Sequence, residues 1–143
     1  MNKSKYIFCF MAAIFISNAA AQEFVNVYSF LSTLAHSEEK ERKLLSLYYL
    51  EDIIDLYPTN NGKLEDNTIY SIYNILEYLL LEGTVSNSTT ENQQNNYTDV
   101  RLLAVILLGR LNIMEARDLL IELLRYENNQ LIIDAANKIL YNN

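Results

Sequence analysis

From residue 24 to the end of the chain, apolar residues recur three and four positions apart with almost no strict alternation. That period belongs to helices with one buried face. Few Gly or Pro interrupt the runs. The first predicted helix spans Phe24–Ala35, with Phe24, Val27, Tyr28, Leu31 and Leu34 on its stripe. The second spans Glu38–Tyr57, with a broad face of Leu44, Leu47, Tyr48, Leu50, Ile54 and Tyr57. Pro58 and the following Thr59-Asn60-Asn61-Gly62 stop it and turn the chain. The third spans Asp66–Glu82, lined by Ile69, Ile72, Leu76, Leu79 and Leu80, with Gly83 as C-cap. Helices over Thr98–Leu111, Glu115–Tyr126 and Leu131–Tyr141 complete the set. Asn112, with Glu115 three positions on, has the spacing of a capping box for the fifth helix.

The pattern also divides the chain. Thr84–Asn96 carries Val85 as its one aliphatic residue. It cannot bury enough surface to offset the entropy of ordering, so it reads as an exposed loop or linker. The predicted organisation is a leader over 1–21, an N-terminal helical hairpin region over 22–83, a polar linker over 84–97 and a C-terminal region over 98–143.

Within that C-terminal region the pattern repeats. Val100, Ala104 and Leu108 match Ile132, Ala136 and Leu140 at an offset of 32 residues, and Leu103/Ala135 and Leu107/Ile139 extend the match. A helix–turn–helix unit of about 30 to 40 residues has such a period. A small residue at the centre of each set lets neighbouring helices approach closely. The run Asp99, Val100-Arg101, Ala104, Leu108-Gly109, then Glu115-Ala116 and a Leu-rich second helix, resembles a HEAT-like repeat of the short bacterial, bilin-lyase type. Glu127–Leu140 resembles the opening helix of a following unit, departing where Ile133 replaces Arg101 and Tyr141 replaces Gly109. The clear resemblance covers Asp99–Leu140, and residues 24–83 are helical without showing the motif. The resemblance implies an all-α fold, a short right-handed α-solenoid of helical hairpins. It also implies that Arg101 bridges to an acceptor in an adjacent unit; the plainer reading leaves Asp99 and Arg101 as ordinary surface residues. Gly109, near a helix end, is expected to admit the fifth helix at close range, at about 1 kcal/mol of helix propensity.

The first 21 residues change the arithmetic. Lys3 and Lys5 precede an apolar run, Tyr6–Ile16, and small residues close it at Ala19-Ala20-Ala21. That is the layout of a secretory signal peptide. The run is shorter than the roughly 17 residues needed to cross hydrocarbon. Cleavage near Ala21 leaves about 122 residues, removes Cys9, and leaves 9 basic against 18 acidic side chains, a formal −9. Such a chain is one domain or one short array. Without cysteine it has no disulfide framework, thiolate metal site or cysteine nucleophile. With that charge it has no basic patch for nucleic acid. A periplasmic or secreted location follows, with no integral membrane segment after cleavage. Abundant Asn and Tyr fit AT-rich coding and a bacterial source. The sequons at Asn87 and Asn96 then read as chance matches.

Candidate chemistry is sparse. His36 is the sole histidine and precedes Ser37-Glu38-Glu39, without the partner of a general base or the companions of a metal ligand. It reads as a solvated turn residue. Carboxylates pair along helix faces at Glu51/Asp55, Glu38/Glu41 and Asp118/Glu122, with no Glu-x-x-His pattern and no calcium loop. No catalytic residue, cofactor or metal is assigned, and the reading is non-enzymatic. The tyrosines carry more information. Tyr48 and Tyr49, beside Glu51 and Asp55, and Tyr70 with Tyr73 suit a protein-binding surface, because Tyr offers large area with few rotors. The same rings could instead fill a core poor in Phe and Trp. The expected function is an exported protein-protein interaction module. The alternative is a small structural or assembly subunit of an envelope complex with no separate ligand-binding activity. Separately, the last helix carries apolar Leu131, Ile132, Ile133, Ile139 and Leu140, so it either packs back as a cap or self-associates with another subunit.

Overall fold

The computed structural model describes residues 20–56, 66–81 and 97–141, with side chains from residue 27 onward. Among them are six helices and no strand. They are α1 (Ala20–Ala35), α2 (Lys40–Leu56), α3 (Asp66–Leu81), α4 (Thr98–Leu111), α5 (Met114–Leu123) and α6 (Gln130–Tyr141). None is long and apolar enough to cross a membrane. Most of the proposed leader, the Pro58–Gly62 turn, the Gly83 cap, the polar segment over 84–96 and both sequons lie outside the described residues. The chain forms two compact units, residues 1–30 and 31–143. In the first, the described part is the opening of α1. Everything that follows concerns the second.

α4 is the hub of that unit. It packs most extensively on α3, then on α6, α2 and α5. Its side chains explain this. Val100, Arg101, Ala104, Val105, Leu107, Leu108 and Leu111 are all buried, so α4 is covered over most of its circumference. α2 buries Leu47, Leu50, Ile53 and Ile54, and α3 buries Ile72, Ile75, Leu76, Leu79 and Leu80. α5 contributes Ala116, Leu120 and Leu123, and α6 contributes Ile132, Ala136 and Leu140. Burial of each Leu or Ile is worth about 1.5–3 kcal/mol against exposure.

Cross-helix ties fix direction. Lys40 Nζ meets Asp99 Oδ2 at 2.7 Å near the starts of α2 and α4, and Arg110 Nη1 lies 3.0 Å from both Glu51 Oε1 and Asp55 Oδ1 near their ends. Asn129 Nδ2 donates to Thr98 Oγ1 at the starts of α4 and α6. Gly109 and Ile139 meet near the ends of the same two helices. α2, α4 and α6 therefore run parallel. Tyr70 of α3 donates to Glu115 of α5 at 2.9 Å, tying the other two helices near their starts.

Two local expectations are corrected. Asn112 does not cap α5; it ends α4 in the left-handed region at φ 50°, while Ile113 precedes α5 without a side-chain cap. Asn tolerates that conformation better than most residues, and closing one helix there leaves its side chain out of position to open the next. Gly109 admits α6, not α5. A Cβ on it would lie 2.8 Å from Ile139 Cγ2. α5 also ends three residues early, at Leu123, because the N–H groups of Arg125 and Tyr126 tighten into three-residue turns on Glu122 and Leu123.

Candidate interaction surface

The chemistry of the molecule is concentrated at helix ends. Arg101, the fourth residue of α4, is 2 % exposed. Its Nε donates at 3.0 Å to the Leu80 carbonyl, in the last turn of α3, where carbonyls have no helical partner. Its Nη2 pairs with the buried Glu127 carboxylate. Glu127 Oε1 in turn accepts the N–H groups of Asn128 and Asn129, at 3.1 and 2.9 Å. Asn129 then caps α6 through Oδ1, which accepts the Leu131 N–H at 3.0 Å. One guanidinium thus joins the end of α3, the start of α4 and the entry to α6. The planar fork of arginine permits this; a lysine ammonium lacks that geometry. Arg101 is structural, and its side chain is not offered to a partner.

α2 holds a counterpart that the sequence did not reveal. Lys43 is also the fourth residue of its helix and is 0 % exposed. Its Nζ donates at 3.0 Å to the Ala35 carbonyl, at the end of α1. It also lies 5.7 Å from the centroids of the Tyr78 and Tyr97 rings, where the aromatic quadrupole favours a cation. His36 stacks on Tyr78 with centroids 3.8 Å apart, and its Nδ1 donates to the Ser32 carbonyl at 2.7 Å. His36 is therefore exposed but held at the end of α1. Among the described residues no three His, Cys, Asp or Glu side chains cluster as a metal site.

Aligning Lys43 on Arg101 shifts α2 by 58 residues and brings Ser46, Leu47, Leu50 and Ile53 onto Ala104, Val105, Leu108 and Leu111, all buried. Aligning α3 on α5 by 44 residues brings Ile72, Leu76 and Leu79 onto Ala116, Leu120 and Leu123, again all buried. Ser46 of α2, aligned with Ala104, donates through its Oγ at 2.9 Å to the Leu31 carbonyl. A buried hydroxyl needs that partner.

The outward face of α2, α4 and α6 carries the candidate surface. The Lys40–Asp99 pair closes the α2–α4 seam at one end, and Arg110 with Glu51 and Asp55 closes it at the other. Between these ties α2 presents exposed Leu45 and Tyr48, and α4 presents exposed Ile106 beside half-buried Leu102 and Leu103. Tyr48 is 53 % exposed and Ile106 is 36 % exposed. On α6 half-buried Ala135 stands at the level of Leu103, with exposed Leu131 one turn earlier, and exposed Lys138 stands at the level of Ile106. The result is an apolar band across parallel helices with charged rims.

The predicted surface residues separate. Tyr48 lies in this band, and Glu51 and Asp55 form its rim through Arg110. Tyr49 is half-buried. Tyr70 and Tyr73 are on α3. Tyr70 donates to Glu115, and Tyr73 donates to Glu77 of its own helix at 3.0 Å. Both phenols are harder to ionise than usual. For Tyr70 the hydrogen bond to Glu115 is the first cause. For Tyr73 burial comes first and the bond to Glu77 second, and its pKa is pushed up from 10.0 to about 12. The sequence reading missed Leu45, Leu102, Leu103 and Ile106. The available signal was position: on the α4 wheel, Leu102, Leu103 and Ile106 fall opposite Ala104 and Leu108. No protein-family model, no curated protein and no solved structure matches this chain.

Proposed function

We propose that this chain is an exported protein-interaction module, built as a short right-handed HEAT-like stack and binding through the apolar band on α2, α4 and α6. The observation that carries it is that band: apolar side chains left exposed on parallel helices, between two sets of charged ties. Contiguous exposed apolar area rimmed by polar groups marks interaction sites. The solenoid reading draws support from the packing. The extensive contacts join helices that are successive or next-but-one in the chain. It draws further support from the Lys43/Arg101 correspondence, which is what a degenerate unit in α2–α3, preceding the one that begins at α4, would give. Export rests on the leader-like layout of residues 1–21. As in all stacks of this kind, the functional step rests on surface chemistry and fold analogy together.

The alternative, a structural subunit assembling through α6, has one observation in its favour and one against. Leu131 and Tyr141 are exposed on α6. Yet Tyr141 occupies the position of Gly109, and it is a glycine there that lets α6 dock on α4. A further helix arriving on α6 in the same register would meet a phenol ring. α6 is thus better suited to close the stack than to extend it.

The test is affinity capture from the native envelope with the mature chain, comparing wild type with Tyr48→Ser/Ile106→Ser and with Met114→Ser, an exposed apolar residue on α5. The interaction reading predicts a bound protein lost with the first variant and kept with the second. Capture unaffected by both variants would overturn it.

A further inference from the structure

We infer that the occupant of the apolar band is a short amphipathic segment of another protein, with apolar side chains over Leu45, Tyr48, Leu103 and Ile106 and basic side chains toward α2. This deepens the interaction reading and rests on it. The argument is one of charge complementarity. Every exposed cation of α2 and α4 is engaged within the molecule: Lys40 by Asp99, Arg42 by Glu39, and Arg110 by Glu51 and Asp55 together. Lys43 and Arg101 are buried. The acids are in excess. Glu41 and Asp52 of α2 have no ion-pair partner among the described residues, and one arginine is shared by two carboxylates at the lower rim. α6, by contrast, carries Asp134 and Lys138 in balance. The band is therefore negative along both rims at its α2 end and close to neutral at its α6 end.

Size agrees with a helical or short extended segment. Three parallel helices at about 9 Å spacing give a band about 20 Å long, the length of about 13 helical residues. An acidic segment would meet like charge at Glu41 and Asp52, and burying uncompensated charge there is costly. A basic segment supplies partners to the carboxylates at the rim, where they remain solvated, and leaves the centre of the contact apolar.

The test uses three labelled peptides of equal length on the mature chain, read by fluorescence anisotropy: an amphipathic Leu/Lys peptide, its Leu/Glu counterpart, and a Ser/Lys peptide of the same charge. The Leu/Lys peptide should bind at least about tenfold more tightly than either control. Tyr48→Ser/Ile106→Ser should weaken it about tenfold, and Glu41→Gln/Asp52→Asn should weaken it about threefold while flattening its salt dependence. Met114→Ser and Glu122→Gln on α5 should change neither. Circular dichroism checks that each variant is folded. Equal binding of the Leu/Glu peptide, or equal binding of the Ser/Lys peptide, overturns the proposal, as does indifference to Tyr48→Ser/Ile106→Ser. Failure of all three peptides, with envelope capture still dependent on Tyr48 and Ile106, would sink the cationic occupant and leave the interaction reading standing.

Discussion

The junction of α1 with α2 and the junction of α3 with α4 solve one problem in two ways. Each places a cation at the fourth residue of the incoming helix and points it at an orphan carbonyl of the outgoing one. Lys43 also faces the rings of Tyr78 and Tyr97, and Arg101 also pairs with the Glu127 carboxylate. The difference follows from geometry. Arginine has a donor left over after the carbonyl bond, at a fixed angle, and Glu127 uses it to connect α4 to the next helix. Lysine donates from one point, and ring faces lie near it. The arginine junction therefore joins the end of α3, the start of α4 and the entry to α6 through one side chain.

The largest expected effect breaks the arginine junction. Arg101→Met leaves Glu127 buried without its partner and the Leu80 carbonyl unsatisfied, and should cost about 3–5 kcal/mol in denaturant unfolding. Adding Glu127→Gln, which removes the stranded charge but keeps an acceptor for Asn128 and Asn129, should recover more than about 1 kcal/mol. Simple additivity would mean that the two side chains do not act as a pair. Lys43→Met keeps the stem and loses the donor to Ala35, at a cost of at least about 1–3 kcal/mol by the same measurement. A cost below about 1 kcal/mol would mean that the Ala35 bond does not hold the α1–α2 junction.

Gly109→Ala probes the docking of α6. The added methyl meets the Ile139 side chain, at about 1–3 kcal/mol for overpacking, against a gain of about 1 kcal/mol in helix propensity. Net destabilisation of about 1 kcal/mol in thermal unfolding is expected, and Ile139→Val should relieve part of it. The smallest effect lies at the α3 surface. With Tyr73 raised to about 12 in the fold and ordinary at 10.0 when unfolded, its contribution to stability is complete below pH 10. It is lost as pH rises from 10 to about 12, because the unfolded chain ionises first. Tyr73→Phe should flatten stability across that window, and ultraviolet titration should show one fewer late-ionising phenol.

The helices were readable because period and breakers act locally. Four-residue spacing placed Val100, Ala104 and Leu108 correctly, and all three are buried. The correspondence of buried positions between α2 and α4 was not readable. It lies at an offset of 58 residues, not 32, and α2 has Lys43 and Ser46 where α4 has Arg101 and Ala104. The roles of those two side chains show only in their bonds to the Ala35 and Leu31 carbonyls. Of the surface, Tyr48 with its acidic rim was legible from composition. Ile106 and Leu103 were hidden, because α4 is apolar on nearly every side and its outward strip is set by which neighbours cover it. Tyr70 was grouped with Tyr48 by residue type, but it is bonded to α5.

The central claim is that α2 through α6 form one stack coupled through α4 and the Arg101 junction. Native-state hydrogen exchange of the mature chain, comparing wild type with Arg101→Met, tests it directly. The single-stack account predicts that protection falls in α2 and α3 as well as in α4 and α6, by a similar free energy. Loss confined to α4–α6, with α2 and α3 unchanged, would contradict it and leave two halves that fold independently.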